Sequence, residues 1–211
     1  MDLEACRNLI VFGGSFDPPH MGHVKLPEFV MERTGADKVA YVPAAAAPLK
    51  VAESQSPAAD RLAMLEAALA NCDHALILTD EMDRASDHEP SYTVDTIENL
   101  RRRLGKDVHL RLLIGMDQLA QFDRWKSAQR IIDLANPLVM TRPSFDIDEL
   151  VSLMPDPQQR RQWGRRLVAV EPMDISSTEI RGRVARGDSI AGLVPPAVEA
   201  YIRDHGLYRQ Q

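Results

Sequence analysis

Short apolar runs alternate with helical patterns along most of this chain of 211 residues. The runs are rich in Val, Ile and Leu, as expected for strands that are buried on both faces. They lie at residues 8–12, 39–42, 75–79, 109–114, 137–141 and 167–170. Apolar residues at helical spacing predict helices at 21–33, 60–70, 92–104, 177–186 and 195–205, with two shorter helices within 117–135. Because parallel strands need crossover connections, this alternation predicts an α/β fold with a doubly wound, mostly parallel sheet and helices on both faces.

Length and composition limit the kind of protein this can be. A chain of 211 residues suits a single domain at 1–211, with a C-terminal helical part at about 175–211. With 45% hydrophobic and 27% charged residues, the composition is that of an ordinary globular protein with a core of normal size. The net charge of −6 argues against a protein that binds nucleic acid through overall basicity.

The sequence gives no sign of export or of a membrane. Its first residues, MDLEACRN, lack the basic and apolar regions of a signal peptide. No apolar run approaches the ~20 residues that span a bilayer. Cys6 and Cys72 form neither a disulfide framework nor a metal-binding set. We therefore expect a cytoplasmic protein without a membrane partner.

Pro27 is a difficulty for the first predicted helix. A proline there removes a hydrogen bond to the carbonyl of His23, at a cost of about 3 kcal/mol in an unadapted helix. Either the helix kinks at Pro27, or it begins later than residue 21. A kink one turn after His23 would leave the helix N-terminus intact.

The stretch GGSFDPPHMGH at 13–23 follows the first predicted strand directly. In open parallel sheets, ligands bind beyond the carboxyl ends of the strands. Gly13 and Gly14 would let a ligand approach the backbone amides, because they have no side chains. His20 and His23 are three residues apart and so lie on one face of the first helical turn. A helix N-terminus favours anions, and the stretch therefore predicts a phosphate-binding site.

Other interpretations of this stretch are weaker. A Gly-Gly turn after a strand is common on its own, and a lone His-x-x-His is more often structural or half of a metal site. Zinc would need a third protein ligand, and no nearby pattern such as His-Glu-x-x-His supplies one, so no protein-bound metal is predicted. The stretch is not a Walker loop, because no Gly-Lys-Ser/Thr follows it.

A second stretch, ISSTEIR at 175–181, begins the predicted helix at 177–186. Ser176, Ser177 and Thr178 are good N-cap residues and carry hydroxyl groups that can donate hydrogen bonds. Arg181 follows Thr178 by three residues and so projects from the first turn of the same helix. A serine-rich cap alone is ordinary, and its meaning depends on the first stretch.

Together these stretches carry a resemblance. GGSFDPPHMGH resembles the nucleotidyltransferase signature Gly-x-Phe-x-Pro-x-His-x-Gly-His, and ISSTEIR is similar to the C-terminal signature Ile-Ser-Ser-Thr-x-Ile-Arg of that superfamily. Between and after them, SYTVDT at 91–96, IGMD at 114–117 followed by Trp125, the segment Thr141–Pro143 and the final Tyr201-Ile202 are similar to bacterial nicotinate-mononucleotide adenylyltransferases. This resemblance covers nearly the full chain. Phosphopantetheine adenylyltransferases share the first signature but are usually shorter and lack the middle segments.

The resemblance implies a Rossmann-like nucleotidyltransferase fold and one reaction. The 5′-phosphate of nicotinate mononucleotide would attack the α-phosphorus of ATP, giving nicotinate adenine dinucleotide and pyrophosphate in NAD biosynthesis. Mg²⁺ would travel with ATP rather than bind a set of protein carboxylates. Two alternatives remain open: the same fold acting on another acceptor, such as nicotinamide mononucleotide or phosphopantetheine, and a non-catalytic nucleotide-binding regulator.

The resemblance also implies which residues form the site. His20 and His23 would hold the ATP phosphates, and Arg181 would offset charge on the departing pyrophosphate. The residues implied in ATP binding are Gly13, Gly14, Ser15, Phe16, His20, His23, Gly115, Asp117, Ser176, Ser177, Thr178 and Arg181. The residues implied in binding the mononucleotide are Lys50, Tyr92, Thr93, Trp125 and Arg142.

Several of these residues have a structural alternative. Trp125 would stack on the pyridine ring or pack in the core, Tyr92 would contact substrate or pack, and Asp117 would bind a ribose or cap a helix. Lys50 would meet the mononucleotide phosphate or remain solvated. The family often has Pro-Pro-His-Lys where this chain has APLK at 47–50, so Leu49 makes the role of the 44–59 loop less secure. The sequence leaves the oligomeric state open.

Overall fold

The structure is a computed structural model, and it describes residues 6–44, 56–84, 92–142, 149, 154 and 156–209. Of the 44–59 loop, residues 45–55 lie outside the described residues, and these include Leu49 and Lys50.

Six strands form one parallel sheet in the order β3-β2-β1-β4-β5-β6. Strand β1 pairs with β4 from Asn8 opposite His109 to Phe12 opposite Leu113. From β1 the chain adds β2 and β3 on one side of the sheet and then crosses over to add β4, β5 and β6 on the other side. This is the doubly wound arrangement. The predicted α/β fold class is therefore confirmed. The strands are β1 (Asn8–Gly14), β2 (Lys38–Pro43), β3 (Ala75–Ile77), β4 (His109–Gly115), β5 (Leu138–Thr141) and β6 (Leu167–Ala169).

Nine α-helices occur within the described ranges. Each predicted helix is present, with ends that differ by at most two residues. The prediction missed two, the short acidic helix at Asp80–Arg84 and the polar helix at Pro157–Gly164. The helices are α1 (Met21–Thr34), α2 (Ala58–Leu69), α3 (Asp80–Arg84), α4 (Thr93–Leu104), α5 (Met116–Leu119), α6 (Ala128–Ala135), α7 (Pro157–Gly164), α8 (Ser177–Arg186) and α9 (Pro196–Asp204), with a 3₁₀ turn at Phe122–Arg124.

Helix α1 begins at Met21 and runs through Pro27 to Thr34. Of the two alternatives for Pro27, a later start of the helix is therefore wrong. Proline cannot supply the N–H that would normally donate to the carbonyl four residues earlier, that of His23. The hydroxyl of Tyr41, a fully buried residue of β2, donates to this carbonyl instead at 3.2 Å. A side chain from the sheet thus replaces the hydrogen bond that Pro27 removes.

The chain divides into two compact units. The first contains the described residues of 1–12, 29–39 and 92–172, and the second contains those of 13–28, 40–91 and 173–211. The expectation of a single domain at 1–211 stays a prediction. Within the parts of the chain that the structure describes, no helix is long and apolar enough to cross a bilayer.

Candidate active site

The phosphate-binding segment, residues 13–23, lies in the second unit and ends in the first turn of α1. His20 is the residue before the helix, and His23 is its third residue. The backbone N–H of His20 donates to Nδ1 of His23 at 3.2 Å, so the His23 side chain closes the helix end as the third residue of a capping box does. Because Nδ1 accepts, the neutral His23 ring carries its proton on Nε2. The two imidazole rings stack with centroids 3.7 Å apart.

Burial keeps both imidazoles uncharged. His20 is only 8% exposed, and its buried Nδ1 has no hydrogen-bond partner among the residues that the structure describes. Burial disfavours the charged ring and lowers the pKa of His20 to about 4. Burial, and then the neighbouring His20, lower the pKa of His23 well below its usual value. At neutral pH the pair therefore offers hydrogen-bond donors rather than positive charge.

Two glycines of the segment make room for ring packing. A Cβ on Gly22 would lie 3.1 Å from the His20 ring, and a Cβ on Gly14 would lie 3.1 Å from the Phe16 ring. Phe16 is fully buried, and its ring meets His23 edge-on at 5.1 Å. The glycines thus let Phe16, His23 and His20 form one column of rings. The sequence predicted a different use, the close approach of a ligand to the backbone.

The second predicted stretch contacts the first through helix α8. The Ser177 hydroxyl donates to the carbonyl of Pro18 at 2.9 Å. Arg181 donates from Nη1 to the carbonyl of Asp17 at 2.7 Å and from Nη2 to the hydroxyl oxygen of Thr178 at 3.2 Å. Residues from distant parts of the chain are therefore brought together as the sequence predicted.

The start of α8 has a conventional cap. Ser176 Oγ accepts the N–H of Glu179 at 3.1 Å, as expected for an N-cap serine. Ser176 and Thr178 are exposed, whereas Ser177 is half-buried. The hydroxyl proton of Ser177 is used by Pro18, which makes this serine a link between the two stretches. The N–H of Met21, at the start of α1, is likewise used by the carbonyl of Leu193 at 2.9 Å.

The phosphate-binding segment contains a buried carboxylate. Asp17 is 1% exposed, and its carboxylate accepts the Tyr208 hydroxyl at 2.6 Å and the Ser56 N–H at 3.4 Å. Asp17 was not predicted as a site residue although it lies inside the signature. Tyr208 was not predicted either, because nothing in the local sequence shows where a residue near the C-terminus will pack.

A buried arginine supports the same segment. Arg61, in α2, is 2% exposed, and its Nη1 donates to the carbonyls of Ser15 at 2.9 Å and Ala44 at 2.7 Å. Burial lowers the pKa of Arg61, and the nearby Asp17 opposes this effect. The sequence analysis missed Arg61 also, because it placed this residue on an ordinary amphipathic helix.

Four of the predicted mononucleotide residues, Tyr92, Thr93, Trp125 and Arg142, lie in the first unit, whereas Lys50 lies outside the described residues. Tyr92 is the N-cap of α4, and Thr93 is its first residue. Trp125 is half-buried, with its ring 5.1 Å from that of Phe122. Lys126 joins this region, because its ammonium lies 4.2 Å from the centroid of the Tyr92 ring. The sequence analysis missed Lys126, although its position next to Trp125 was a usable signal.

The other predicted residues of this unit are less closely grouped. Gly115 ends β4, and its N–H donates to Oε1 of Gln118 at 2.9 Å. Asp117 is exposed in the first turn of α5. Arg142 is exposed after β5 and forms an ion pair with Glu149 at 2.7 Å. Among the described residues, no three His, Cys, Asp or Glu side chains lie close enough together to hold a metal ion.

The segment holds a stacked pair of neutral imidazoles and the Asp17 carbonyl that accepts from the Arg181 guanidinium, and such imidazole and guanidinium donors can bind an anion with several oxygens. The imidazoles supply directional donors, and Arg181 supplies a fixed charge. No serine, cysteine or lysine paired with a base lies in this group as a nucleophile would. The arrangement therefore suits reactions in which a phosphate is positioned and its charge stabilised.

Comparison with protein families agrees with this class of chemistry. The family model described as cytidylyltransferase-like matches residues 11–183 of the chain. The match includes the phosphate-binding segment and the helix that carries Arg181. The class of protein is thus a cytidylyltransferase-like α/β protein.

Relatives narrow the assignment. A protein of Dehalococcoides mccartyi, named as a probable nicotinate-nucleotide adenylyltransferase, is 35% identical over 204 residues, covering 95% of this chain and 97% of its own length. A protein of Laribacter hongkongensis with the same name is 39% identical over 211 residues, covering 95% of this chain and 94% of its own length. The chain belongs to the cytidylyltransferase-like family and, within it, to the nicotinate-nucleotide adenylyltransferases.

A solved structure shares the fold. The nicotinic acid mononucleotide adenylyltransferase of Plasmodium falciparum, complexed with NaAD, matches with a TM-score of 0.73 at 20% identity, covering 96% of this chain and 97% of that chain. The complex of that protein with APC gives a TM-score of 0.72 at 19% identity, over 96% and 97% of the two chains. At such identities the likeness concerns the fold alone.

Proposed function

We propose that this protein transfers the adenylyl group of ATP to nicotinate mononucleotide, forming nicotinate adenine dinucleotide and pyrophosphate in NAD biosynthesis. The names of relatives that match 95% of the chain support this activity. The observation that carries the proposal is the contact of Arg181 with the carbonyl of Asp17, three residues before His20. It joins both signature stretches into one group of phosphate donors.

The reaction makes few demands on protein chemistry. A 5′-phosphate oxygen of the mononucleotide attacks the α-phosphorus of ATP in line, and a new P–O bond forms. The bond from the α-phosphorus to the bridging oxygen breaks, and its electron pair leaves with pyrophosphate. The attacking phosphate is already ionised, so no general base is needed. Catalysis then depends on positioning the two substrates and on stabilising charge that grows on pyrophosphate.

The two kinds of donor have different tasks in this proposal. The Nε2–H of His23 donates to a phosphate oxygen, since its Nδ1 is engaged by the backbone. The His20 ring stacks on the His23 ring and donates to phosphate from Nε2, since its Nδ1 is buried. Arg181 places a permanent positive charge beside the same oxygens, where pyrophosphate leaves. Thr178 and Ser176 are exposed at the start of α8 and complete the phosphate contacts, while Ser177 holds the stretches together.

The acceptor is assigned to the first unit by the same reasoning. The start of α4 offers backbone N–H groups to a carboxylate, and Trp125 offers an aromatic face to a pyridine ring. Lys126 lies next to Tyr92 and also pairs with the Asp95 carboxylate at 3.5 Å, so the preference for the acid mononucleotide over its amide is supported by the names of the relatives rather than by this charge. Within the proposal, Arg142 and Lys50 also serve the acceptor.

The proposal also includes the other residues that were predicted to bind ATP. Gly13, Gly14, Ser15, Phe16, Gly115 and Asp117 are assigned to ATP. Mg²⁺ would enter bound to the ATP phosphates, where it supplies charge neutralisation, because the donors of the segment suit phosphate oxygens rather than a metal. The expected compartment is the cytoplasm.

The decisive experiment measures pyrophosphate release by the purified protein with ATP, Mg²⁺ and nicotinate mononucleotide. Release should require all three, and the amide mononucleotide should be used less well. Changing His20→Ala or Arg181→Ala should lower turnover about 100-fold or more while the protein stays folded. His205→Ala and Arg186→Ala are matched controls, because both residues are exposed and lie away from the segment. Each control should keep wild-type turnover.

Several outcomes would contradict the proposal. Turnover with nicotinamide mononucleotide alone would reject the acid specificity, and use of phosphopantetheine would assign another acceptor. A folded wild-type protein that binds ATP but releases no pyrophosphate with any acceptor would favour the regulator. Unchanged kinetics in His20→Ala would remove the imidazoles from the mechanism.

A further inference from the structure

We infer that Tyr208, near the C-terminus, is a positioning residue of the phosphate-binding segment and acts through the buried carboxylate of Asp17. The functional part of this inference rests on the proposed adenylyl transfer. The structural part, control of residues 13–23 by a distant tyrosine, does not.

The contact between these residues is short and long-range. The Tyr208 hydroxyl donates to Asp17 Oδ1 at 2.6 Å across 191 positions of sequence. Tyr208 adopts a positive φ of 62°, a conformation that non-glycine residues adopt rarely and at a cost. The chain thus accepts an unfavourable backbone conformation at the residue that reaches Asp17. Burial and the hydrogen bond to Asp17 raise the pKa of Tyr208, so the phenol remains a donor at any working pH.

Asp17 links this contact to the site because its side-chain carboxylate and its backbone carbonyl both accept hydrogen bonds. Its carboxylate accepts from Tyr208 and from the Ser56 N–H, and its carbonyl accepts from Arg181 at 2.7 Å. A backbone shift at Asp17 that follows a change in its carboxylate contacts therefore moves the carbonyl that holds the guanidinium. It also moves the start of the short connection that leads to His20.

Loss of the tyrosine hydroxyl would act on Asp17 in particular. A carboxylate that is 1% exposed needs donors, because burial without them is costly. The Tyr208 hydroxyl is a donor at 2.6 Å, whereas the Ser56 N–H is a longer contact at 3.4 Å, so removing the tyrosine hydroxyl weakens the hold on the carboxylate. The expected response is a local reorientation of Asp17 rather than loss of the fold.

The alternative is that Tyr208 only holds down the C-terminal end of the chain. The protein contains a matched control for this alternative. In α9, the Tyr201 hydroxyl donates to Oδ1 of Asp60 at 2.8 Å, a tyrosine–aspartate bond in the same unit and close to the same terminus. Asp60 is not part of the phosphate-binding segment.

The kinetic test compares Tyr208→Phe with Tyr201→Phe, both folded at 25 °C. Tyr208→Phe should lower kcat/KM for ATP about 10-fold or more, with KM for nicotinate mononucleotide changed less than 2-fold, because a small misplacement of reacting groups is costly. Tyr201→Phe should stay within 2-fold of wild type for both substrates. Thermal unfolding of each variant separates loss of fold from loss of position.

A second measurement does not depend on the reaction. Amide hydrogen exchange in peptides from residues 13–23 should be faster in Tyr208→Phe than in wild type, and unchanged in Tyr201→Phe. Equal exchange in all three proteins overturns the inference, and so does an equal loss of activity in both variants. If wild type transfers no adenylyl group, the proposed function fails, and the exchange data alone decide whether Tyr208 positions the segment.

Discussion

The replacement of a helix hydrogen bond by a tyrosine can be tested with Tyr41→Phe. The variant keeps the ring but removes the hydroxyl that donates to the His23 carbonyl at 3.2 Å. Pro27 cannot replace this donor, because it has no backbone N–H. The carbonyl belongs to a residue of the candidate active site, so the change affects both the stability and the site.

The expected cost follows from burial. Tyr41 is 0% exposed, so water cannot easily take the place of its hydroxyl. The contact with the His23 carbonyl is part-buried, and an acceptor that loses its donor in such a place costs about 1–3 kcal/mol. We therefore expect Tyr41→Phe to lower the free energy of unfolding by about 2 kcal/mol, the middle of that range.

The physical reason is tested by adding Pro27→Ala. Alanine restores an N–H at position 27, four residues after His23, where it can donate to the same carbonyl. In the wild-type background this N–H meets a carbonyl that already has a donor. In the Tyr41→Phe background it supplies the missing donor. Pro27→Ala should therefore stabilise the Tyr41→Phe protein by at least about 1 kcal/mol more than it stabilises wild type.

Urea unfolding of the four proteins at one pH measures this coupling. The comparison cancels the effect of Pro27→Ala on the unfolded chain, which is the same in both backgrounds. Additive effects within about 0.5 kcal/mol would show that the tyrosine does not replace the missing backbone donor. A Tyr41→Phe protein as stable as wild type would refute the reasoning more directly.

Three further predictions concern single groups. The His20 pKa of about 4 predicts that the NMR signals of its ring do not titrate near 6.5. It also predicts that the free energy of unfolding falls as pH drops from about 6.5 to 4, because the unfolded chain binds the proton at a higher pH than the folded protein does. Ser176→Ala should lower the free energy of unfolding by about 1 kcal/mol in urea, through loss of the N-cap contact with Glu179, whereas Ser176→Thr should lose less. Hydrogen bonds from the N–H groups of Arg7 and Asn8 lower the pKa of Asp37, so Asp37→Ala should destabilise the start of β1. The difference in unfolding free energy between this variant and wild type should shrink as pH falls below 3.8, because the wild-type carboxylate is then protonated.

The fold was predictable because its main signals are local. Strands buried on both faces are apolar runs, and their helices have apolar faces, so a single sequence reveals both. Helix α7 escaped because it is mostly polar and buries only Trp163. Its cap was readable, since Asp156 accepts from two N–H groups and Pro157 occupies the first turn. Helix α3 has five residues, too few for a periodic pattern.

The site was predictable only where its chemistry lies in short stretches. His20, His23 and Arg181 stand in signatures, and the structure brings those signatures together. Asp17 and Tyr208 could not be paired from the sequence, because their contact spans 191 positions and depends on how the whole unit packs. Ser177 shows a further limit, since the sequence reveals a hydroxyl but not the carbonyl to which it donates.

The charge state of the site follows from the need to fold without substrate. Two buried imidazolium ions stacked on each other would place like charges close together in a protein interior, which is costly. Neutral rings avoid this cost and still present N–H groups to phosphate. They also bind a ground-state triphosphate less strongly than cations would, so that more of the interaction develops as charge moves onto pyrophosphate. The lowered pKa values of His20 and His23 therefore fit the proposed phosphate-binding role, in which Arg181 would supply a permanent charge to the leaving group.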